Sequence, residues 1–216
     1  MGVASQAANA MFNGLRRPLP AIDGIVPTEL FPLRHDVENA NRVRLNALKT
    51  ESRAYDSRDS GRVTGERRER IFDSMVAQRV LEVKVDAQVM LIKNVDENLV
   101  NGSVGRVLGF YLASEVCGSG GEITTKGGSG FIRNVVVGDD GKTPVAWGGM
   151  EEREKMESEG DSWGRTEELP LVEFRTPLGK EVVLVGRDEF KVEENDGAVA
   201  ARRVQASAAS VRVRDY

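Results

Sequence analysis

The chain has 216 residues, 40% hydrophobic and 30% charged, which supports one or two domains with a modest core. Its net charge of −4 is local in origin: Glu151–Glu168 holds eight acids and three bases, a net of −5, so the remainder is +1 and nucleic acid is not excluded as a partner. No apolar run approaches the roughly 20 residues needed to cross a bilayer, which argues against a membrane span, and no secretory signal pattern opens the chain.

Met1–Ala10 is small and polar without periodicity and is expected to be frayed. Phe12–Pro20 is a short apolar-basic patch ended by prolines. Thr28–Pro32 reads as a short buried strand. His35–Leu48 reads as a helix with Val37, Asn41, Leu45 and Leu48 near one face, so strand and helix form half of an α/β unit. Glu51–Arg70 carries six arginines and five acids and reads as a solvated connection, with a short helix near Arg67–Val76.

From Leu81 the hydrophobic period changes to two: Leu81, Val83 and Val85 alternate with Glu82 and Lys84. Gln88–Ile92 reads as a buried strand, Asn101-Gly102 as a turn, and Val104–Leu112 as the next strand. Cys117–Gly130 is a Gly/Ser-rich linker. Phe131–Val137 is a strand, and Gly148–Leu169 an acidic loop expected to be disordered. Leu171–Thr176, Glu181–Val185, Glu189–Glu193 and Ala198–Val204 complete a set of short antiparallel strands, for which a small closed barrel is the economical way to remove edges.

Chemistry-bearing motifs are few. The single Cys117 excludes an internal disulfide and points to a reducing compartment, and the single His35 excludes a multi-histidine metal site. Gly138–Thr143 ends like a phosphate loop, but Val136 stands where the pattern needs its first glycine and Pro144 follows where a helix must begin, so it reads as a hairpin turn. No catalytic residue and no metal site emerges. Basic and amide residues are the better lead. Arg34, Arg42, Arg44 and Lys49 lie on or near the first helix, and Lys93, Asn94, Asn101 and Arg106 flank the central turn. Such groups donate to phosphate oxygens, although spacing alone also fits a solvated face.

The segments PTELFPLRHDVENANRVRLNAL (Pro27–Leu48), LEVKVDAQVMLIKN (Leu81–Asn94), LVNGSVGRVLGF (Leu99–Phe110), LVEFRTPLGKEVVLV (Leu171–Val185) and ARRVQ (Ala201–Gln205) resemble, in the same order, the petite-integration-frequency (PIF) helicases of superfamily one, which move 5′ to 3′ on DNA. The resemblance implies an α+β chain. Residues 1–11 would be a disordered start and 12–94 part of the second RecA-like α/β domain. Residues 95–205 would be an inserted small antiparallel SH3-like barrel with flexible loops near 113–130 and 148–169, and 206–216 an atypical tail. It also makes Lys93, Asn94, Asn101 and Arg106, with Arg34 and Asn41 on the RecA-like part, candidate contacts to single-stranded DNA.

Family members couple ATP and magnesium to unwinding in DNA repair, recombination, telomere and mitochondrial DNA upkeep, so a nuclear or mitochondrial location is implied. The chain departs from that pattern. The phosphate-loop lysine and magnesium-binding acids of the first RecA-like domain are not in it. After Gln205 it reads ASAASVRVRDY where the family continues to a Ser-His-Lys-x-Gln-Gly motif and, later, an arginine finger. The chain alone is therefore expected to lack ATPase activity and cofactor, with the first RecA-like domain as a missing partner. The alternatives are a non-enzymatic module binding single-stranded DNA or protein, and a truncated remnant without function.

Overall fold

A computed structural model describes residues 5–15, 17, 19–21, 25–116, 122–126, 129–145, 167–194 and 197–210. Three sheets organise the chain. The largest has seven strands. Its centre is β5 (Val104–Tyr111), β8 (Leu169–Thr176) and β9 (Gly179–Val185), flanked on one side by β4 (Gln88–Leu91) and β12 (Ala208–Ser210), and on the other by β7 (Ser129–Arg133) and β6 (Glu122–Lys126). Every ladder in it is antiparallel. A three-stranded sheet orders β10 (Arg187–Glu193), β11 (Val199–Ala206) and β2 (Arg58–Ser60), and β1 (Ser52–Asp56) pairs with β3 (Val80–Lys84).

Helices α1 (Gln6–Gly14), α2 (Arg34–Ala47), α3 (Gly65–Ser74) and α4 (Ala113–Val116) complete the described elements. None is long and apolar enough to cross a membrane, which says nothing of strands. The α+β class is as expected, but the pairing stops at β12 and β6, so the described residues form an open sheet and not a closed barrel. The ladder between β4 and β5 also joins strands on either side of residue 94.

The main core packs against both faces of the large sheet. Val89, Val107, Val172, Phe174 and Val183 are fully buried on one face, joined by Leu81, Val83 and Tyr55 from the β1–β3 pair, and the paired Leu171 and Leu184 are fully buried on the other. Smaller clusters gather Phe72, Met75 and Ala201, and Ala77 with Ile92.

Several elements differ from the local reading. Thr28–Pro32 forms no strand, and Leu30 is 60% exposed. Prolines at 27 and 32 remove ladder donors, and the backbone of Val26 is instead held by a side chain, Gln88, whose amide accepts from its N–H at 2.9 Å and donates to its carbonyl at 3.0 Å. Glu51–Arg70 is not a solvated connection but β1, β2 and the start of α3. Its charges find partners far along the chain: Arg53 binds Glu168, and Asp59 binds Arg203. Local composition does not reveal pairing at that range.

The start of the chain also departs, because Ser5 caps α1 by accepting from the Ala8 N–H at 3.2 Å, although the helix buries no residue. In the tail, Ala208–Ser210 adds a strand to the edge of β4. Of the loop expected near 113–130, Ala113–Val116 is a helical turn, and Glu122–Lys126 pairs with Ser129–Arg133. Residues 117–121 and 127–128, and the acidic stretch 146–166, lie outside the described residues.

Candidate nucleic-acid interface

The β4–β5 connection is a long loop made rigid by two buried anchors and by its own polar side chains. Val95 and Leu99 enter the core. The Asp96 carboxylate accepts from the N–H groups of Asn98 and Leu99 at 2.8 and 2.7 Å. Burial of Asp96 opposes its ionisation, yet these amide bonds and the Arg133 guanidinium outweigh it and hold the carboxyl below its ordinary range. Arg133 binds Asp96 on one side and Glu181 on the other at 2.6 and 2.9 Å, tying the loop to β7 and β9.

Val100–Ser103 then turns the chain back. Gly102 adopts φ +99°, which explains the glycine, and Ser103 N–H donates to the Val100 carbonyl at 2.9 Å. Gly105 is required for a different reason. A Cβ there would meet Glu173 O and Val172 Cγ1 at 2.7 Å and Phe174 Cδ1 at 2.8 Å, so only glycine lets β5 approach β8 this closely.

On this frame the structure brings some of the six candidate residues together and separates others. Asn94 and Asn101 meet: Asn94 Oδ1 accepts from the Asn101 N–H at 2.7 Å, and both residues are exposed. Lys93 is turned away into a fold contact. Its Nζ lies 2.5 Å from Oδ1 of the buried Asp188, donates to the Glu189 carbonyl at 3.2 Å, and sits 5.8 Å from the Phe190 ring centroid. Arg106 is half-buried on β5, with Gln88 and Glu173 opposite it on the neighbouring strands, and its Nε is buried without a hydrogen-bond partner. Arg34 is the first residue of α2, and Asn41 is half-buried further along it, so neither belongs to the loop.

Local reading missed the residues that fasten the sheets. Arg203 is buried, binds both oxygens of Asp59 at 2.8 and 2.7 Å, and donates to the carbonyls of Phe72 and Ala77. Gln205 donates to the carbonyls of Tyr55 and Gln78 and accepts from the Ala206 N–H. Arg187 binds both oxygens of Glu167 and the Asp56 carbonyl, and its hydrogen bonds lower the Glu167 pKa against burial. The available signal was the ARRVQ segment, which contains two of the three. A groove of about 550 Å³ opens beside Arg203, lined by Asp59, Arg68, Glu69, Phe72 and Arg79, away from the β4–β5 loop.

The phosphate-loop-like stretch does not fit a triphosphate. Asp140 occupies its amides, accepting from the N–H groups of Lys142 and Thr143 at 2.9 Å each, and the Lys142 ammonium lies 3.2 Å from Asp86. Val137 and Pro144 bridge across it, as in a hairpin turn. Among the described residues no group of three His, Cys, Asp or Glu is placed to hold a metal ion.

These observations define a small antiparallel-sheet module with a pinned, amide-bearing loop. A family model described as "DNA helicase Pif1, 2B domain" matches residues 66–110, from α3 through β5. The ATP-dependent DNA helicase PIF1 of Candida albicans is 33% identical over 90% of this chain and 25% of its own length. That of Emericella nidulans is 33% identical over 95% of this chain and 27% of its own. The crystal structure of the Candida albicans Pif1 helicase superposes with a TM-score of 0.66 at 27% identity, covering 96% of this chain and 40% of that one. The chain belongs to the Pif1 helicase family, and it spans about a quarter of the length of the curated relatives it matches.

Proposed function

We propose that these residues form the 2B region of a Pif1-type ATP-dependent helicase and contribute contacts to single-stranded DNA, while ATP hydrolysis depends on residues outside the 216. The observation that carries the reading is the pinned β4–β5 loop inside the matched span, which presents Asn94 and Asn101 together at the surface. Asn94 and Asn101 supply neutral donors and acceptors for sugar and phosphate, and Arg106 supplies the charge. The open sheet stands as our candidate for the SH3-like insertion, and α2 with the segment before it as part of the second RecA-like domain. Genome maintenance in the nucleus or mitochondrion goes with this reading.

Exposed Met11 and Phe12 on α1, with Leu15 directly after it, favour one further element, docking against another domain of the helicase. The test is fluorescence anisotropy with labelled oligothymidylate, alongside phosphate release from ATP with and without DNA. The expected result is salt-sensitive DNA binding and no ATP turnover. DNA-stimulated phosphate release by the pure chain would overturn the second half of the proposal.

A further inference from the structure

The fold leaves Arg106 short of an acceptor. Its Nε is buried and has no hydrogen-bond partner. A guanidinium N–H taken out of water without an acceptor costs more than an ordinary hydrogen bond contributes, so such a group marks strain or a second arrangement. Its cross-strand neighbours are Glu173 on β8 and Gln88 on β4. Glu173 accepts from the Lys180 ammonium at 3.0 Å. Gln88 Oε1 accepts from the Val26 N–H at 2.9 Å, and Gln88 Nε2 donates to the Val26 carbonyl at 3.0 Å.

Gln88 stands between two users of its amide. Gln88 and Arg106 are paired residues of an antiparallel ladder, so their side chains leave the same face with Cβ atoms about 5 Å apart. A primary amide serves a backbone N–H and C=O together, as a neighbouring strand would, and this match fixes which Gln88 atom is the oxygen. That oxygen is also the neutral acceptor that Arg106 lacks.

What Gln88 holds on its other side is a strap. Residues 26–33 form neither helix nor strand, and Val26, Leu30 and Leu33 are exposed. The strap runs directly into α2, and its Glu29 binds Arg44 of that helix at 2.7 Å. A displacement of the strap is therefore passed to α2 by chain continuity and by this ion pair.

We infer that Gln88 is a two-position latch: on Val26 it pins the strap ahead of α2, and turned to Arg106 it satisfies the buried Nε and frees the strap. The positions compete for one amide plane. Each leaves one group unserved, Arg106 Nε in this structure and the Val26 backbone in the other. Val26 is exposed, so water replaces Gln88 there and the released state carries no buried orphan. The latch couples the placement of α2 to the state of Arg106, and it stands or falls apart from the nucleic-acid reading above.

The experiment reads both ends of the latch by NMR in the whole 216-residue chain: amide exchange at Val26 and the Nε–H resonance of Arg106, with thermal unfolding of every variant as a check on folding. Gln88→Glu offers Arg106 a carboxylate and repels the Val26 carbonyl. Val26 exchange is expected to rise on the order of tenfold and the Arg106 Nε–H to become protected. Arg106→Met removes the competitor, and Val26 exchange is expected to slow severalfold. A staple with no second position predicts no slowing in Arg106→Met, and that result overturns the latch. An Arg106 Nε–H signal unmoved by Gln88→Glu overturns it as well and assigns that group to Glu173 or to water. An unprotected Val26 amide in the wild-type chain would show that the staple itself does not form, which also ends the proposal.

Discussion

Replacing Arg203 with methionine tests how the two halves of the fold are fastened. Arg203 is 4% exposed and lies between β2 and α3. Its guanidinium makes two bonds to Asp59, donates to the Phe72 carbonyl at 3.2 Å and the Ala77 carbonyl at 2.8 Å, and stacks 4.8 Å from the Phe72 ring centroid. Methionine keeps much of the length and apolar contact. It leaves the Asp59 carboxylate with only the Ser57 hydroxyl, and two carbonyls without this donor. Breaking a buried pair from one side costs about 3–5 kcal/mol, and because Asp59 lines the groove beside Arg203 and keeps some solvent the low end, about 3 kcal/mol, applies. With a urea dependence of about 2 kcal/mol per molar, the unfolding midpoint should fall by roughly 1.5 M.

The pH dependence supplies a second readout. Arg203 chiefly holds the Asp59 carboxyl below its ordinary range in the folded chain. A depressed carboxyl contributes stability that is present above its unfolded value of about 3.9 and is lost as pH falls through the lower folded value. Wild type should therefore lose stability on acidification in that window, and Arg203→Met should not lose this share. The double replacement Asp59→Asn/Arg203→Met should be less damaging than the sum of its parts. A midpoint shift under about 0.5 M for Arg203→Met, with an unchanged acid profile, would refute the reasoning.

Other consequences are as direct. Gly105→Ala should cost about 1–3 kcal/mol, read by urea unfolding, because the new methyl meets the β8 backbone at 2.7 Å; wild-type stability would show that the two strands can separate freely. Asp96→Ala should expose the amides of Asn98 and Leu99 and speed their hydrogen exchange about tenfold, with the β8–β9 ladder unaffected, since two N–H groups lose their acceptor. Asp140, pulled down to about 2 chiefly by the Thr143 hydroxyl and then by two N–H groups, should titrate by NMR near that value. A midpoint near 4 would mean that the turn is not closed in solution.

Much of the strand content was legible along the chain. Leu81–Val85, Gln88–Ile92, Val104–Leu112 and the four segments after Leu171 alternate or run apolar over strand lengths, and each became a strand within a residue or two. The Asn101-Gly102 and Asp140-Gly141 turns were legible too, because their chemistry is contained within four or five residues. The wrong readings share a cause. Thr28–Pro32 has strand-like residues but no ladder partner, and Glu51–Arg70 has loop-like residues whose partners lie up to 150 positions away.

For the candidate interface, residue types and family order could be read in sequence, while their roles needed contacts. Lys93 was indistinguishable from a phosphate ligand until the fold set Asp188 2.5 Å from it.

Sequence by itself determined the class of secondary structure, the absence of a phosphate-binding loop in these residues and the family order of motifs, all of which depend on neighbours a few positions apart. Tertiary structure alone decided that, among the described residues, the large sheet stays open at β12 and β6, and which charges are spent inside the fold. The physical reason is range: a hydrophobic period is a local property, whereas the fate of a charge is set by whatever opposite charge the folded chain brings within about 4 Å.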